Sequence, residues 1–276
     1  MKTILVATDF SNAAGNALKY AMGLAKAFNA KIIVYSAFQE APVPVDGSPM
    51  IITPEDTGKL MSARMKEELK LLDPAGKLAI DTIVREATPA QGIRQAAKDN
   101  NADIIITGMK AGEKGIRRFF GSTVTALIHK IEIPMLVIPE EASYQDISNI
   151  AYATEKDLDI DEKLAGLNTI REIAERYHAH LYLVRVAENR FKEAFELLNR
   201  PFQLIRQTRT LNPIYETVEG KDITEALNQF AVSYKINMLV LHPHKQGGII
   251  ERWFAGSTTR QMVFESHIPL LVLPKQ

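Results

Sequence analysis

Two stretches in the first half of the chain hold residue types suited to gripping an anion. Thr8-Asp9-Phe10-Ser11 puts a carboxylate directly after a short apolar run and a hydroxyl where the next helix must be capped. From that place Asp9 could meet a ribose hydroxyl or a metal carried by phosphate, or it could satisfy N–H groups of its own loop. Further on, Gly108-Met109-Lys110-Ala111-Gly112-Glu113-Lys114-Gly115 leads to Gly121-Ser122-Thr123-Val124. Glycines allow close approach of backbone to a ligand. Lys110, Lys114, Arg117 and Arg118 add positive charge. A Gly-Ser-Thr run that opens a helix aims N–H groups and hydroxyls at whatever anion lies before it. Each element is common by itself; strand, glycine loop, cations and helix start in this order describe a phosphate cradle.

The signature occurs twice. Gly121-Ser122-Thr123 is followed by Ile133-Pro134, Leu136-Val137 and Pro139, and Gly256-Ser257-Thr258 by Ile268-Pro269, Leu271-Val272 and Pro274. One domain has been duplicated, and both copies end alike. The surroundings differ: counting back from Gly256, Pro243 and Gln246 stand where the first copy has Gly108 and Ala111, and Glu155 corresponds to Asp9. Proline removes a backbone donor and fixes φ, so the second copy is expected to be the poorer anion site.

Elements must position these residues. Ile4 to Ala7, Lys31 to Tyr35, Ala79 to Val84, Asp103 to Thr107 and Met135 to Ile138 read as strands covered on both faces. Between them, Leu18, Ala21, Met22, Ala25 and Phe28 form one helical stripe; Met61, Met65, Leu69 and Leu72 form another, and Ile93, Ala96 and Ala97 a third. Ile150 to Ala153, Leu181 to Val186, Ile214 to Val218, Met238 to Leu241 and Leu270 to Leu273 repeat the strand order, with Leu167, Ile170, Ala174 and Tyr177 on the first helix of that half. Steady alternation of strand and helix implies right-handed crossovers and parallel sheets. Domains are expected over residues 1–141 and 146–276. The stretch from Phe38 to Gly58, with Pro42, Pro44, Gly47, Pro49 and Pro54, reads as a long loop at the ligand end of the sheet.

Lysine plus arginine and aspartate plus glutamate balance at 33 each, so no overall field favours nucleic acid or an anionic membrane. With no cysteine, disulfides and thiolate chemistry are excluded. The apolar run after Met1 is too short for a signal peptide or a span, so a cytoplasmic location is expected, with neither nucleic acid nor membrane as partner. No Gly-x-Ser-x-Gly elbow and no Gly-Lys-Ser or Gly-Lys-Thr motif occurs. His242-Pro243-His244 is a weak metal signal, His178 and His180 read as surface residues, and Trp253 replaces Arg118 of the first copy as a packing residue.

With Asp9, Gly108, Gly121 and Ser122 in place, the chain resembles the universal stress protein family, specifically its tandem-domain members. The family's second motif glycine falls on Ala111. The resemblance implies two adenine-nucleotide-alpha-hydrolase-like α/β domains, each an open five-stranded parallel sheet in the order 3-2-1-4-5 with helices on both faces. It implies ATP, or AMP or ADP, in the first domain, with Mg or Mn as an optional companion. Adenine would lie against Ala7, Thr8, Ser36 and Ala37, Asp9 would face the ribose, and Gly108, Met109, Lys110, Ala111, Gly121, Ser122, Thr123 and Val124 would hold phosphates. The two final strands would pair within the chain, and a homodimer is also allowed. The implied role is a stress response exerted through nucleotide-dependent shape; no general base or nucleophile stands beside the cradle. The alternatives are a scaffold or carrier of another small ligand, and a slow metal-dependent ATPase using Asp9.

Overall fold

The computed structural model describes residues 1–39, 53–110, 121–128, 130, 132–154, 166–187, 209–242 and 268–274. The first half runs β1 (Thr3–Ala7), α1 (Asn12–Phe28), β2 (Lys31–Phe38), α2 (Pro54–Leu72), β3 (Ile80–Glu86), α3 (Pro89–Asp99), β4 (Ile104–Met109), α4 (Ser122–Ile128) and β5 (Met135–Pro139). The second half follows with β6 (Asn149–Thr154), α5 (Leu167–Tyr177), β7 (His180–Ala187), a 3₁₀ turn at Arg209–Leu211, β8 (Ile214–Glu219), α6 (Ile223–Ser233), β9 (Met238–Leu241) and β10 (Leu270–Val272).

All ten strands join one sheet in the order β3-β2-β1-β4-β5-β10-β9-β6-β7-β8. Each half is thus a parallel 3-2-1-4-5 sheet, as expected. The halves meet where β5 and β10 pair antiparallel, Val137 with Leu270, Leu136 with Leu271 and Met135 with Val272. Leu136 and Leu271 each stand fifteen places beyond the glycine that opens their signature. Equivalent residues therefore face each other, and a pseudo-twofold axis passes through that pair. The two Ile-Pro-x-Leu-Val-x-Pro endings form the seam.

Side chains alternate across the strands and build one apolar layer on each face. Ile4, Val6, Ile104 and Ile106 pack with Leu18, Ala21, Met65, Ile170 and Ile173 under α1, α2 and α5. Leu5, Ile105, Met135 and Val137 pack with Ile93, Ala96, Leu127, Leu227 and Phe230 under α3, α4 and α6. Both layers run through both halves.

The long-loop reading of Phe38 to Gly58 is corrected at both ends. β2 extends through Phe38, and Pro54 is the first residue of α2. Thr53 and Asp56 close a capping box, with Thr53 Oγ1 accepting from Asp56 N–H at 3.1 Å. Proline suits the first helical position because its missing N–H would have no helical partner there. Residues 40–52 lie outside the described residues.

Candidate functional site

In the first half the crossovers run one way from β1 to β2 and β3, then jump back to place β4 on the other side of β1. The gap beyond the C-terminal ends of β1 and β4 is where an open α/β sheet receives ligands. The loop after β1 is fixed by its own hydrogen bonds. Thr8 N–H donates to the Tyr35 carbonyl at 2.9 Å, the Ser36 hydroxyl donates to the Thr8 carbonyl at 2.9 Å, and Phe10 N–H donates to Thr8 Oγ1 at 3.0 Å. Thr8 and Ser36 are buried, so their groups tie β1 to β2. Ala7 and Ala37 are half-buried at the ends of those strands.

Phe10 takes φ +59°, a left-handed conformation uncommon outside glycine. The twist separates its neighbours: Asp9 Oδ1 accepts Ser11 N–H at 3.0 Å, and Ser11 Oγ caps α1 by accepting Ala14 N–H at 3.3 Å. The other carboxylate oxygen of Asp9 lies 3.9 Å from Lys110 Nζ across the gap between β1 and β4. Partial burial pushes the Asp9 carboxyl up, but the hydrogen bonds from Ser11 and the Lys110 charge outweigh it and hold it below its ordinary value. An ionised carboxylate and a cation therefore face each other at an open mouth. On the far side of Phe10, the Arg64 guanidinium of α2 lies 4.5 Å over its ring.

Gly108 and Gly121 do different work. A Cβ on Gly108 would come within 2.3 Å of the Ala13 carbonyl oxygen and 2.8 Å of Ala14 N. The space beside its Cα is taken by the first turn of α1, so packing alone already requires glycine here. Among the described residues, a Cβ on Gly121 would meet nothing within 4 Å. The Gly121 carbonyl accepts Thr125 N–H at 3.0 Å, so Gly121 sits at the N-cap of α4. Unlike Ser11, Thr53 or Asp222, it offers no side-chain acceptor to the first-turn N–H groups. Gly121 and Ser122 are exposed, Thr123 is half-buried, and Val124 and Met109 are buried. Ala111, Lys114, Arg117 and Arg118 lie outside the described residues. So do Glu155, Pro243, His244, Gln246, Trp253 and the second Gly256-Ser257-Thr258.

A sequence profile of the universal stress protein family matches residues 1–139 and again residues 149–274. The chain belongs to the universal stress protein family. It is a tandem of two such domains. Among the curated relatives, Universal stress protein MJ0531 of Methanocaldococcus jannaschii is 33% identical over 146 residues, covering 50% of this chain and 81% of the relative. Universal stress protein Sll1388 of Synechocystis is 26% identical over 153 residues, covering 49% and 96%. Among solved structures, a universal stress protein from Archaeoglobus fulgidus superposes with a TM-score of 0.71 at 16% identity, over 99% of this chain and 98% of that one. Protein PA1789 from Pseudomonas aeruginosa, described as functionally unknown, follows at TM-score 0.62, 14% identity, and 100% and 92% coverage. The fold of the whole two-domain chain thus recurs in both structures.

Further observations concern residues that the sequence reading treated lightly or passed over. His242 is buried, with Nε2 3.1 Å from the Pro274 carbonyl, so it braces the end of β10. His178 ends α5 in a left-handed conformation, and His180 opens β7. Among the described residues no group of three His, Asp or Glu is placed to hold a metal ion, and no helix is long and apolar enough to cross a membrane. Arg64 escaped notice because nothing in its local pattern ties it to Phe10, more than fifty residues away; the Thr53-Pro54-Glu55-Asp56 cap was legible but masked by the preceding prolines.

Proposed function

We propose that the first domain, residues 1–141, binds ATP or a related adenine nucleotide at the ends of β1 and β4, and that the bound state sets the shape or partners of a cytoplasmic stress-response protein. The observation that carries this reading is Gly121: the N-cap of α4 has no side chain, and among the described residues nothing lies within 4 Å of where one would stand, which supports a phosphate at that helix start. Asp9 would accept a ribose hydroxyl, and Lys110, released from Asp9, would turn to the phosphates. Gly108 would contribute through its N–H and carbonyl, while Ser122 and Thr123 would add hydroxyl donors. The second domain, residues 146–276, carries Pro243, Gln246 and Glu155 at the matching positions and is assigned the degenerate site.

The test is to denature the purified protein, chromatograph what it releases, and measure melting with added ATP, with and without Mg or Mn. Released adenine nucleotide, or a rise in Tm on adding ATP, supports the reading. A protein that releases no adenine nucleotide and whose Tm does not rise with ATP overturns it.

A further inference from the structure

We propose that this chain forms a weak homodimer through the outer face of α2, the two helices lying antiparallel. Leu60 and Leu71 are 71% and 78% exposed, and both stand on the outer face of α2. On α2 they belong to one stripe with Arg64 and Glu67, at spacings of four, three and four residues. That spacing is the seam of a two-stranded coiled coil. The stripe is complementary to its own reverse. A twofold axis placed between Met65 and Lys66 sets Arg64 against the second copy's Glu67, and the same placement sets Leu60 against the second copy's Leu71. The result is two ion pairs at the centre with a leucine pair at each end, the isologous pattern that a twofold contact requires. A parallel pairing would instead oppose Arg64 to Arg64 and Glu67 to Glu67, which like charges disfavour.

The surroundings favour the same occupant. Arg64 is already ordered, its guanidinium stacked on the Phe10 ring, so less freedom is lost when it meets a carboxylate. A groove of about 620 Å³ beside the stripe, lined by Phe10, Gly15, Arg64, Glu67, Leu71 and Leu72 among others, gives the second copy's leucines a half-apolar bed. Ala63 beside the stripe permits close approach. A single pair of 19-residue helices buries less than the roughly 1,200 Å² of a stable complex, so the dimer is concentration-dependent.

Sedimentation velocity on the full chain, from micromolar to millimolar concentration, tests this. Wild type is expected to shift from monomer to dimer. Glu67→Arg, which leaves the Phe10 contact intact, and Arg64→Glu should each weaken the dimer at least about tenfold, and the double variant Arg64→Glu/Glu67→Arg should restore it. All four positions are exposed, so circular dichroism is expected to show unchanged folds. Because the chain has no cysteine, Leu60→Cys and Leu71→Cys proteins mixed under mild oxidation should give the crossed disulfide. A monomer at every concentration, a dimer indifferent to both single reversals, or Leu60→Cys protein crosslinking chiefly to itself would overturn the proposal.

Discussion

The hydroxyl of Tyr144, in the segment that joins the two domains, lies 2.8 Å from the hydroxyl of Tyr177 at the end of α5. The Tyr144 ring meets Tyr20 of α1 edge-on at 5.3 Å, and it fits only because position 23 is glycine: a Cβ there would come within 2.4 Å of the ring. Nearby, the Asn16 amide donates to the carbonyls of Pro139 and Ala142 at 2.9 and 2.8 Å. The short connection is therefore clamped between the first helices of both domains. Gly23→Ala is expected to cost about 1–3 kcal/mol by overpacking. Tyr144→Phe should cost about 1 kcal/mol and cost little further in a Tyr177→Phe background. Urea unfolding of Gly23→Ala, of each tyrosine variant and of the double tyrosine variant checks this; additive losses in the double would show that the two hydroxyls do not depend on each other.

Gly108 and Gly121 separate packing from binding. Gly108→Ala should lower stability by about 1–3 kcal/mol with no ligand present, because the Ala13 carbonyl cannot yield without moving α1. Gly121→Val should leave the ligand-free Tm nearly unchanged and abolish the rise produced by ATP. The matching change at Gly256 should leave most of that rise. Melting curves with and without nucleotide distinguish the three, and equal loss from Gly121 and Gly256 changes would contradict the assigned asymmetry.

Asp9 should link stability to acid pH. Its carboxyl is held below the ordinary value, so it contributes stability above its unfolded value of 3.8, and that contribution is lost as pH falls through the folded value. In Asp9→Asn this part of the acid transition should vanish, and the nucleotide-dependent rise in Tm should shrink at neutral pH. Chemical shift titration of the Asp9 carboxyl measures the first effect directly; a midpoint at or above 3.8 in the folded protein would contradict it.

At alkaline pH the sign reverses. Burial raises Tyr20, with the neighbouring Tyr144 adding to it, and burial followed by the Tyr144 hydrogen bond raises Tyr177. Both contribute stability fully present below their unfolded value of 10.0 and lost as pH rises beyond it toward the folded values. Tyrosinate absorbance should therefore appear in two stages, exposed rings first, and Tyr20 and Tyr177, with Tyr35 whose value burial also raises, as the fold is lost. Titration of all eight tyrosines near pH 10.0 in a still-folded protein would exclude this.

The strands were legible as β-rich apolar runs and the duplication as a repeated terminal signature, whereas the strand order and the seam followed from the resemblance to the family. Leu136 facing Leu271 follows from duplication plus antiparallel pairing. The start of α2 was not legible from breaker density, since a proline counted against a helix was in fact its first residue. The site was readable by position and less so by role. Gly108 looks the same in sequence whether a ligand or α1 fills the space beside it, and the bond from the Ser36 hydroxyl to the Thr8 carbonyl has no local signature. Phe10 and Arg64 meet only through tertiary packing of α2 on α1.

The seam between β5 and β10 also sets an order of events during synthesis. The first domain holds all of its own strands once Pro139 has left the ribosome, yet the partner for its outer edge, Leu270–Val272, is made last. At about 5–20 residues per second, that edge waits roughly seven to twenty-seven seconds with Met135, Leu136 and Val137 paired to β4 on one side only. An open apolar edge is a template for wrong partners. Nascent chains on one messenger would be the nearest such partners, so slow translation of the second half should raise aggregation more than slow translation of the first.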